Sequence, residues 1–180
     1  MPDLSSTSVA DLFRDFAPFV WRTLRRLGVA DRDVDDMVQE VFVVIHRKLP
    51  EFEGRSSHRT WVYGICVRTA SDYRNLARMK HETMPVELPE QIATSDAHED
   101  LARHQARAIL DRVLDDLDDE KRAVFVLYEI EELGMSEVAE AVGCPVQTAY
   151  SRLHAARKQV HDGIERVRKP AMTASVGGTP

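Results

Sequence analysis

Three short segments of this chain gather the side chains that could do chemistry, and none is built for covalent catalysis. The first is Ser136-Glu137-Val138-Ala139-Glu140-Ala141-Val142-Gly143-Cys144-Pro145-Val146-Gln147-Thr148-Ala149-Tyr150-Ser151-Arg152-Leu153. Ala139 is small enough for a second helix to cross closely, and Gly143 suits a turn with positive φ. Val146, Ala149 and Leu153 have the spacing that pins the second helix on the first, so the segment reads as a helix-turn-helix. Gln147, Thr148, Tyr150, Ser151, Arg152, His154, Arg157 and Lys158 then face outward, as donors and cations able to meet base edges and phosphates. An ordinary helical hairpin needs the same alanine and glycine, but the basic, acid-free outer face favours DNA.

The second segment, Phe52-Glu53-Gly54-Arg55-Ser56-Ser57-His58-Arg59-Thr60-Trp61-Val62-Tyr63, mixes aromatics, cations and hydroxyls across one loop and a helix start. Aromatic faces stack on unpaired bases while arginines hold the phosphates of the same strand. Such a loop could also pocket a base pulled from the stack; the competing account makes Phe52 and Trp61 core. Trp61 is expected to be largely buried with one edge available. The third segment carries Asp36, Gln39 and Glu40 on one helical face, away from the apolar stripe Val34, Val38, Val41 and Ile45. Phe42 and Val43 also fall outside that stripe, which leaves apolar residues exposed beside acids, as a protein-docking surface requires. A solvated acidic face is the alternative.

Other chemistry is excluded by what the sequence lacks. It has no Gly-rich phosphate loop, no His-x-x-x-His pair and no cysteine set beside a histidine and an acid. His154 and His161 lie seven apart without an acid partner and read as solvated, so no metal, cofactor or small-molecule substrate is expected. The two cysteines, Cys66 and Cys144, rule out a disulfide scaffold and a Cys-based zinc site, and they suit a reducing cytoplasm. No apolar run is long enough to span a membrane, and the N-terminus shows no secretory signal.

The net charge of −6 argues against nucleic acid only until it is mapped along the chain. Residues 1–80 carry +2, 81–104 carry −5, 105–134 carry −5 and 135–180 carry +2. Six basic residues between Arg55 and Lys80 face Asp72 as the only acid, and Arg152, Arg157 and Lys158 lie in an acid-free stretch from Pro145 to His161. Two basic patches around an acidic middle could be two contacts with one polyanion, or merely solvated helix faces. The acidic middle is expected to compete with DNA for the basic patches.

The elements that must position these segments are all helical. Val9, Leu12, Phe13, Phe16, Val20, Leu24 and Leu27 predict a helix over 8–27 ended by Gly28, with Pro18 able to kink it. A second helix follows to Leu49-Pro50, and Ser57 is placed to cap a third from His58 to about Met79. Pro85 and Pro89 mark a linker. Periodicity returns at Ala106, Ile109, Leu110, Val113, Leu114 and Leu117. Ser136 is expected to cap a short helix through Val142, and a long helix from Val146 should end by Lys169-Pro170.

Together these segments resemble the bacterial sigma factors, specifically the small extracytoplasmic-function (ECF) group. The match to sigma region 2 runs through Val34 to Phe42, Phe52 to Tyr63 and the basic end to Lys80. The match to region 4 runs from about Ala108 to Val160, including Arg122-Ala123-Val124-Phe125-Val126-Leu127 and the helix-turn-helix. The resemblance implies an all-α fold of two small helical domains. Region 2 would occupy 1–80, an acidic flexible linker 81–104, region 4 residues 105–169 and a disordered tail 170–180, too short for an extra sensing domain. It implies a non-enzymatic factor that binds core RNA polymerase, recognises −10 and −35 promoter elements and promotes DNA melting. Asp36, Gln39, Glu40, Phe42 and Val43 would dock on the β′ coiled coil, and region 4 would meet the β flap. Phe52, Arg55, Ser56, Ser57, His58, Arg59, Thr60 and Trp61 would read and melt the −10 element, with Arg68, Arg74 and Arg78 on its backbone. Gln147, Thr148, Tyr150, Ser151 and Arg152 would read the −35 element, with Arg157 and Lys158 on phosphates. An anti-sigma factor is the further expected partner.

Three positions depart from the family pattern. His58 stands where Phe is common, Tyr150 where Lys is frequent, and Asp118-Asp119 replaces a proline-containing turn. Two rival readings remain: a stand-alone helix-turn-helix regulator binding a palindrome without polymerase, and a helical adaptor that captures another protein. Only a sigma factor requires core polymerase for its effect on DNA.

Overall fold

The computed structural model describes residues 8–83 and 98–168, where all regular structure is helical. Helix α1 (Val9–Arg26) starts on a reciprocal cap: Asp11 N–H donates to Ser8 Oγ and Ser8 N–H to Asp11 Oδ2, both at 3.2 Å. The Ser8 hydroxyl, donating to Asp11 Oδ2 at 2.7 Å, and then the Ser8 N–H hold the Asp11 carboxyl below its ordinary pKa. Pro18 lies inside α1 without dividing it, and Gly28, at φ 99°, turns the chain out. Helix α2 (Val34–Lys48) follows a single 3₁₀ turn, and a second one, Leu49–Glu51, leads into the loop before α3 (His58–Thr83). Ser57 caps α3 as expected, its Oγ accepting from Thr60 N–H at 3.0 Å. The helix outruns Met79 because the next breaker, Pro85, lies further on.

Helix α4 (His98–Asp115) begins inside the stretch assigned to the linker, where Ala102, Gln105 and Ala106 favour helix and no glycine or proline intervenes. The remainder of that linker, 84–97, the start of the chain and the tail expected over 170–180 lie outside the described residues. Asp118, whose replacement of a proline turn was noted above, is the N-cap of α5 (Asp119–Phe125): it accepts from Lys121 N–H at 2.8 Å. A π-helical turn, Val126–Ile130, continues α5, and Glu132 (φ 57°) breaks out of it. Helix α6 (Met135–Val142) is capped by Gly134, not by Ser136, because Glu137 reaches back to accept from Gly134 N–H at 3.1 Å. Gly143 adopts φ 70° and α7 (Val146–Arg168) completes the fold.

The two halves share one interior. Val113, Leu114, Leu117, Ala123 and Val126 join α1, α2 and α3 in one buried apolar cluster. Tyr63 of α3 belongs to a second cluster with Val124, Leu127, Val138, Ala139, Ala149 and Leu153. Helices α3 and α6 meet at Gly64, where a Cβ would sit 3.2 Å from the Ala141 carbonyl oxygen. The two helical domains thus also pack on each other, α3 against α6 and α5 against the α1–α3 cluster.

Candidate promoter interface

Helix α7 presents the outward face that the sequence predicts. Ala149, Leu153, Ala156 and Val160 bury one side, leaving Gln147, Ser151, His154, Arg157 and Lys158 exposed and Thr148 partly so. Tyr150 is 49% exposed, on the outer side of α7. Val146, expected to pin the helix, is 42% exposed: it is the first helical residue, and Ala149 and Leu153 make the contact with α6 without it. Arg152 is only partly solvated, because its guanidinium pairs with Glu120 of α5 at 2.7 Å. Arg157 pairs with Glu129 at 2.6 Å and lies over the Tyr128 ring.

At the start of α3 the aromatics assemble into a cluster. The Phe52 ring centre lies 4.7 Å from His58 and 4.9 Å from Trp61, and all three are half-buried. Trp61 is partly buried against the core, and His58 fills the position usual for Phe by packing on the Phe52 ring. Gly54, at φ 69°, folds the loop back over the cluster. Arg55, paired with Glu53 at 2.8 Å, stands exposed beside it, with Arg68 exposed further along α3 and Ser56 partly covered.

Several predicted DNA contacts are engaged elsewhere. Thr60 is 2% exposed: Ser57 Oγ lies 2.9 Å from its hydroxyl, which donates to Glu137 Oε1 at 3.0 Å. Arg59 donates to the Glu131 carbonyl at 3.1 Å and lies over the Tyr63 ring. Arg74 pairs through Nε with Asp119 at 3.0 Å, and Arg78 reaches the same carboxylate at 2.5 Å. Burial lowers the Arg74 pKa from its ordinary value, the Arg122 charge adds to that, and Asp119 opposes it. A cleft of about 230 Å³ brings Arg68, Ser71 and Arg74 of α3 opposite Asp119, Glu120 and Arg152. The sequence left the two basic patches apart; the fold brings their edges together around acids.

The acidic docking face is smaller than expected. Asp36, Gln39, Glu40 and Val43 are exposed on α2, but Phe42 is 7% exposed. Its ring meets Phe13 of α1 edge-on at 4.7 Å, because α1 and α3 together cover a wider arc of α2 than the four-residue stripe marks. Phe13, packed on Phe42, is 51% exposed, an aromatic that the stripe on α1 had assigned to the interior.

Two further sets of buried contacts centre on residues to which the sequence gives no role. Glu131 accepts from Tyr63 Oη and Arg26 Nη1, both at 2.7 Å, and from Thr23 Oγ1 at 3.4 Å. Burial and this carboxylate push the Tyr63 phenol pKa up, keeping it protonated. Arg122, 2% exposed, donates through Nε to the Arg26 carbonyl at 2.6 Å and through Nη1 to Asp115 at 2.7 Å. It thus caps the C-terminal end of α1, where a cation meets the negative pole of the helix. Among the described residues no cluster of histidine, cysteine and carboxylate could hold a metal ion, and no helix is long and apolar enough to cross a membrane.

A three-helix unit with an aromatic-cationic loop, followed by a helix-turn-helix with a basic outer face, is the architecture of a promoter-recognising initiation factor. Sigma-70 region 2 matches residues 12–78, and Sigma-70, region 4 matches residues 107–160. The ECF RNA polymerase sigma-E factor of Haemophilus influenzae is 31% identical over 147 residues, covering 76% of this chain and 77% of that protein. The counterpart of the same name in Escherichia coli K12 is 29% identical over 146 residues, covering 76% of each. The chain belongs to the ECF sigma factors, which recognise promoters for RNA polymerase. The fold is also that of CnrH solved with the cytosolic domain of CnrY, at a TM-score of 0.65 and 24% identity over 91% of this chain and 92% of that one. The sigma factor RpoE of Bartonella quintana, solved with the anti-sigma factor NepR, gives a TM-score of 0.70 and 18% identity over 88% and 98%.

Proposed function

We propose that residues 12–78 dock on the β′ coiled coil of core polymerase through Asp36, Gln39, Glu40 and Val43, with buried Phe42 holding that face in shape. The loop and first turn of α3 then open the −10 element. The observation that carries this is the stacked Phe52–His58–Trp61 cluster with Arg55 exposed beside it. Unstacking a base costs a few kcal/mol, and a fresh aromatic face returns about 1–3 kcal/mol per base. Two such contacts with one phosphate held at Arg55 offset the cost of trapping a flipped base. Gln147, Thr148, Tyr150, Ser151 and Arg152 read the −35 element in the major groove, Arg157 and Lys158 hold its phosphates, and region 4 rests on the β flap.

The chain itself makes and breaks no covalent bond; polymerase supplies nucleotidyl transfer, in the cytoplasm where it works. An anti-sigma factor is a fitting partner, because both solved relatives named above were captured with a protein bound. Capture of core enzyme on the immobilised chain, followed by run-off transcription from a cognate promoter, tests the reading. Initiation that depends on the chain is expected. A chain that binds a palindromic site tightly without polymerase, and adds nothing to polymerase, would favour the stand-alone regulator.

A further inference from the structure

We propose that Tyr128 and Glu129, on the π-helical turn, are positioning residues for the −35 contact: they hold the Arg157 guanidinium ready for a DNA phosphate. The inference rests on the promoter reading above and gives a role to two side chains outside α7. Glu129 Oε1 accepts from Arg157 Nε at 2.6 Å, and the guanidinium lies over the Tyr128 ring, 5.6 Å from its centre. Carboxylate and ring thus fix one edge and one flat face of the group. Among the described residues Glu129 is the one hydrogen-bond partner of that guanidinium, so Nη1 and Nη2 remain for a second acceptor. The side chain is still 55% exposed although held twice, and it stands with His154 and Lys158 on the outer side of α7.

The local backbone explains why two successive residues reach one partner. Glu131 N–H donates to the Val126 carbonyl five residues back, at 3.0 Å, where an α-helix would bond four back. The wider turn sets neighbouring side chains closer together around the axis. Leu127 therefore stays buried while Tyr128 and Glu129 both lie toward Arg157. A free arginine loses rotamer freedom when it grips a phosphate, and one already held loses less. The open Nη pair also matches two phosphate oxygens in a forked contact. Glu129 opposes this by repelling the same phosphate. The cation lies between the two anions and the site is open to water, so screening leaves that repulsion weaker than the gain.

Promoter binding by holoenzyme, assembled from core polymerase and the full chain and measured over a series of salt concentrations, tests the proposal. Arg157→Ala should weaken binding equally on every −35 sequence and lower the salt slope by about 1. Glu129→Ala should weaken binding about three- to tenfold, although removal of an acid would by charge alone strengthen it. Glu129→Gln removes the same charge but keeps an acceptor for Nε, and should recover most of the loss. Tyr128→Phe should keep the parent's affinity, and Tyr128→Leu should lose about twofold. In the Arg157→Ala background neither Glu129→Ala nor Tyr128→Leu should cost more, because nothing is left to position. Stronger or unchanged binding by Glu129→Ala, which would make Glu129 a competitor of DNA, overturns the proposal. So does a loss that Glu129→Gln fails to recover, or one that persists without the arginine, as misfolding would give. Unchanged binding and salt slope for Arg157→Ala would instead remove the phosphate contact from the promoter reading, and this inference with it.

Discussion

Replacing Arg122 with alanine should cost this protein about 2–4 kcal/mol of stability. The guanidinium is almost wholly enclosed, and two of its nitrogens donate, to the Arg26 carbonyl at 2.6 Å and to Asp115 at 2.7 Å. A hydrogen bond from a charged donor contributes about 1.5–3 kcal/mol, but the two ends differ. Asp115 is 68% exposed and regains water when its partner leaves, so its side of the pair adds little. The Arg26 carbonyl lies at the end of α1 beside Gly28, where a Cβ would sit 2.9 Å from the Arg122 guanidinium and 3.0 Å from Arg74 Cδ, so losing the guanidinium leaves an acceptor at a crowded helix end. Loss of the packed aliphatic stem adds to this. For a chain of this size each kcal/mol shifts the midpoint by about 2–4 °C, so the thermal transition should fall by about 4–16 °C. Arg122→Lys should recover less than half, because one ammonium cannot reproduce the fork that spans both acceptors. Urea unfolding at neutral pH measures the difference directly. A variant within about 0.5 kcal/mol of the parent, the ordinary scatter for a surface substitution, would refute the reasoning.

Arg152→Ala should weaken discrimination at one −35 base pair by about 1–3 kcal/mol, read by footprinting on base-substituted promoters. Uniform loss on every sequence would show a phosphate contact instead. Burial opposes ionisation at Asp118, but the hydrogen bonds from Lys121 outweigh it and hold the carboxyl below its ordinary pKa of 3.8. A carboxyl lowered in the folded state adds stability that is complete above its unfolded pKa and fades as pH falls through the folded one. Asp118→Ala should thus cost about 1 kcal/mol at pH 7, and the gap should narrow in denaturant titrations at about pH 3. Thiol titration of the native protein should find Cys144 reactive and Cys66 silent, since burial both encloses the Cys66 thiol and pushes its pKa up. Two rapidly reacting thiols would contradict the packing of α3.

The buried edge was legible where the stripe ran unbroken, as at Ala149, Leu153, Ala156 and Val160 of α7, whereas the α1 stripe wrongly took in Phe13. Gly28 and Gly143 marked their turns because only positive φ completes them. Phe42 was misread because a helix wedged between two others buries more than one stripe. The cap of α6 was misread because Glu137, three residues into the turn, does the work that Ser136 seemed placed for. The Glu131 and Arg122 contacts join residues about 70 to 110 positions apart, and periodicity holds no record of such pairs. The charge map reads as an acidic middle over 81–134 set to compete with DNA for the basic patches; one of its acids, Asp119, pairs with Arg74 and Arg78, a contact that the map did not name.

Strand opening itself is the most direct measurement. Permanganate oxidises unpaired thymines, so a promoter fragment incubated with core polymerase and this chain should show reactive thymines confined to the −10 element and its downstream edge. The same fragment with either component alone should stay protected, and Trp61→Ala should reduce the signal severalfold while leaving polymerase binding intact. Thymines equally protected with and without the chain, in the presence of bound core enzyme, would contradict the account.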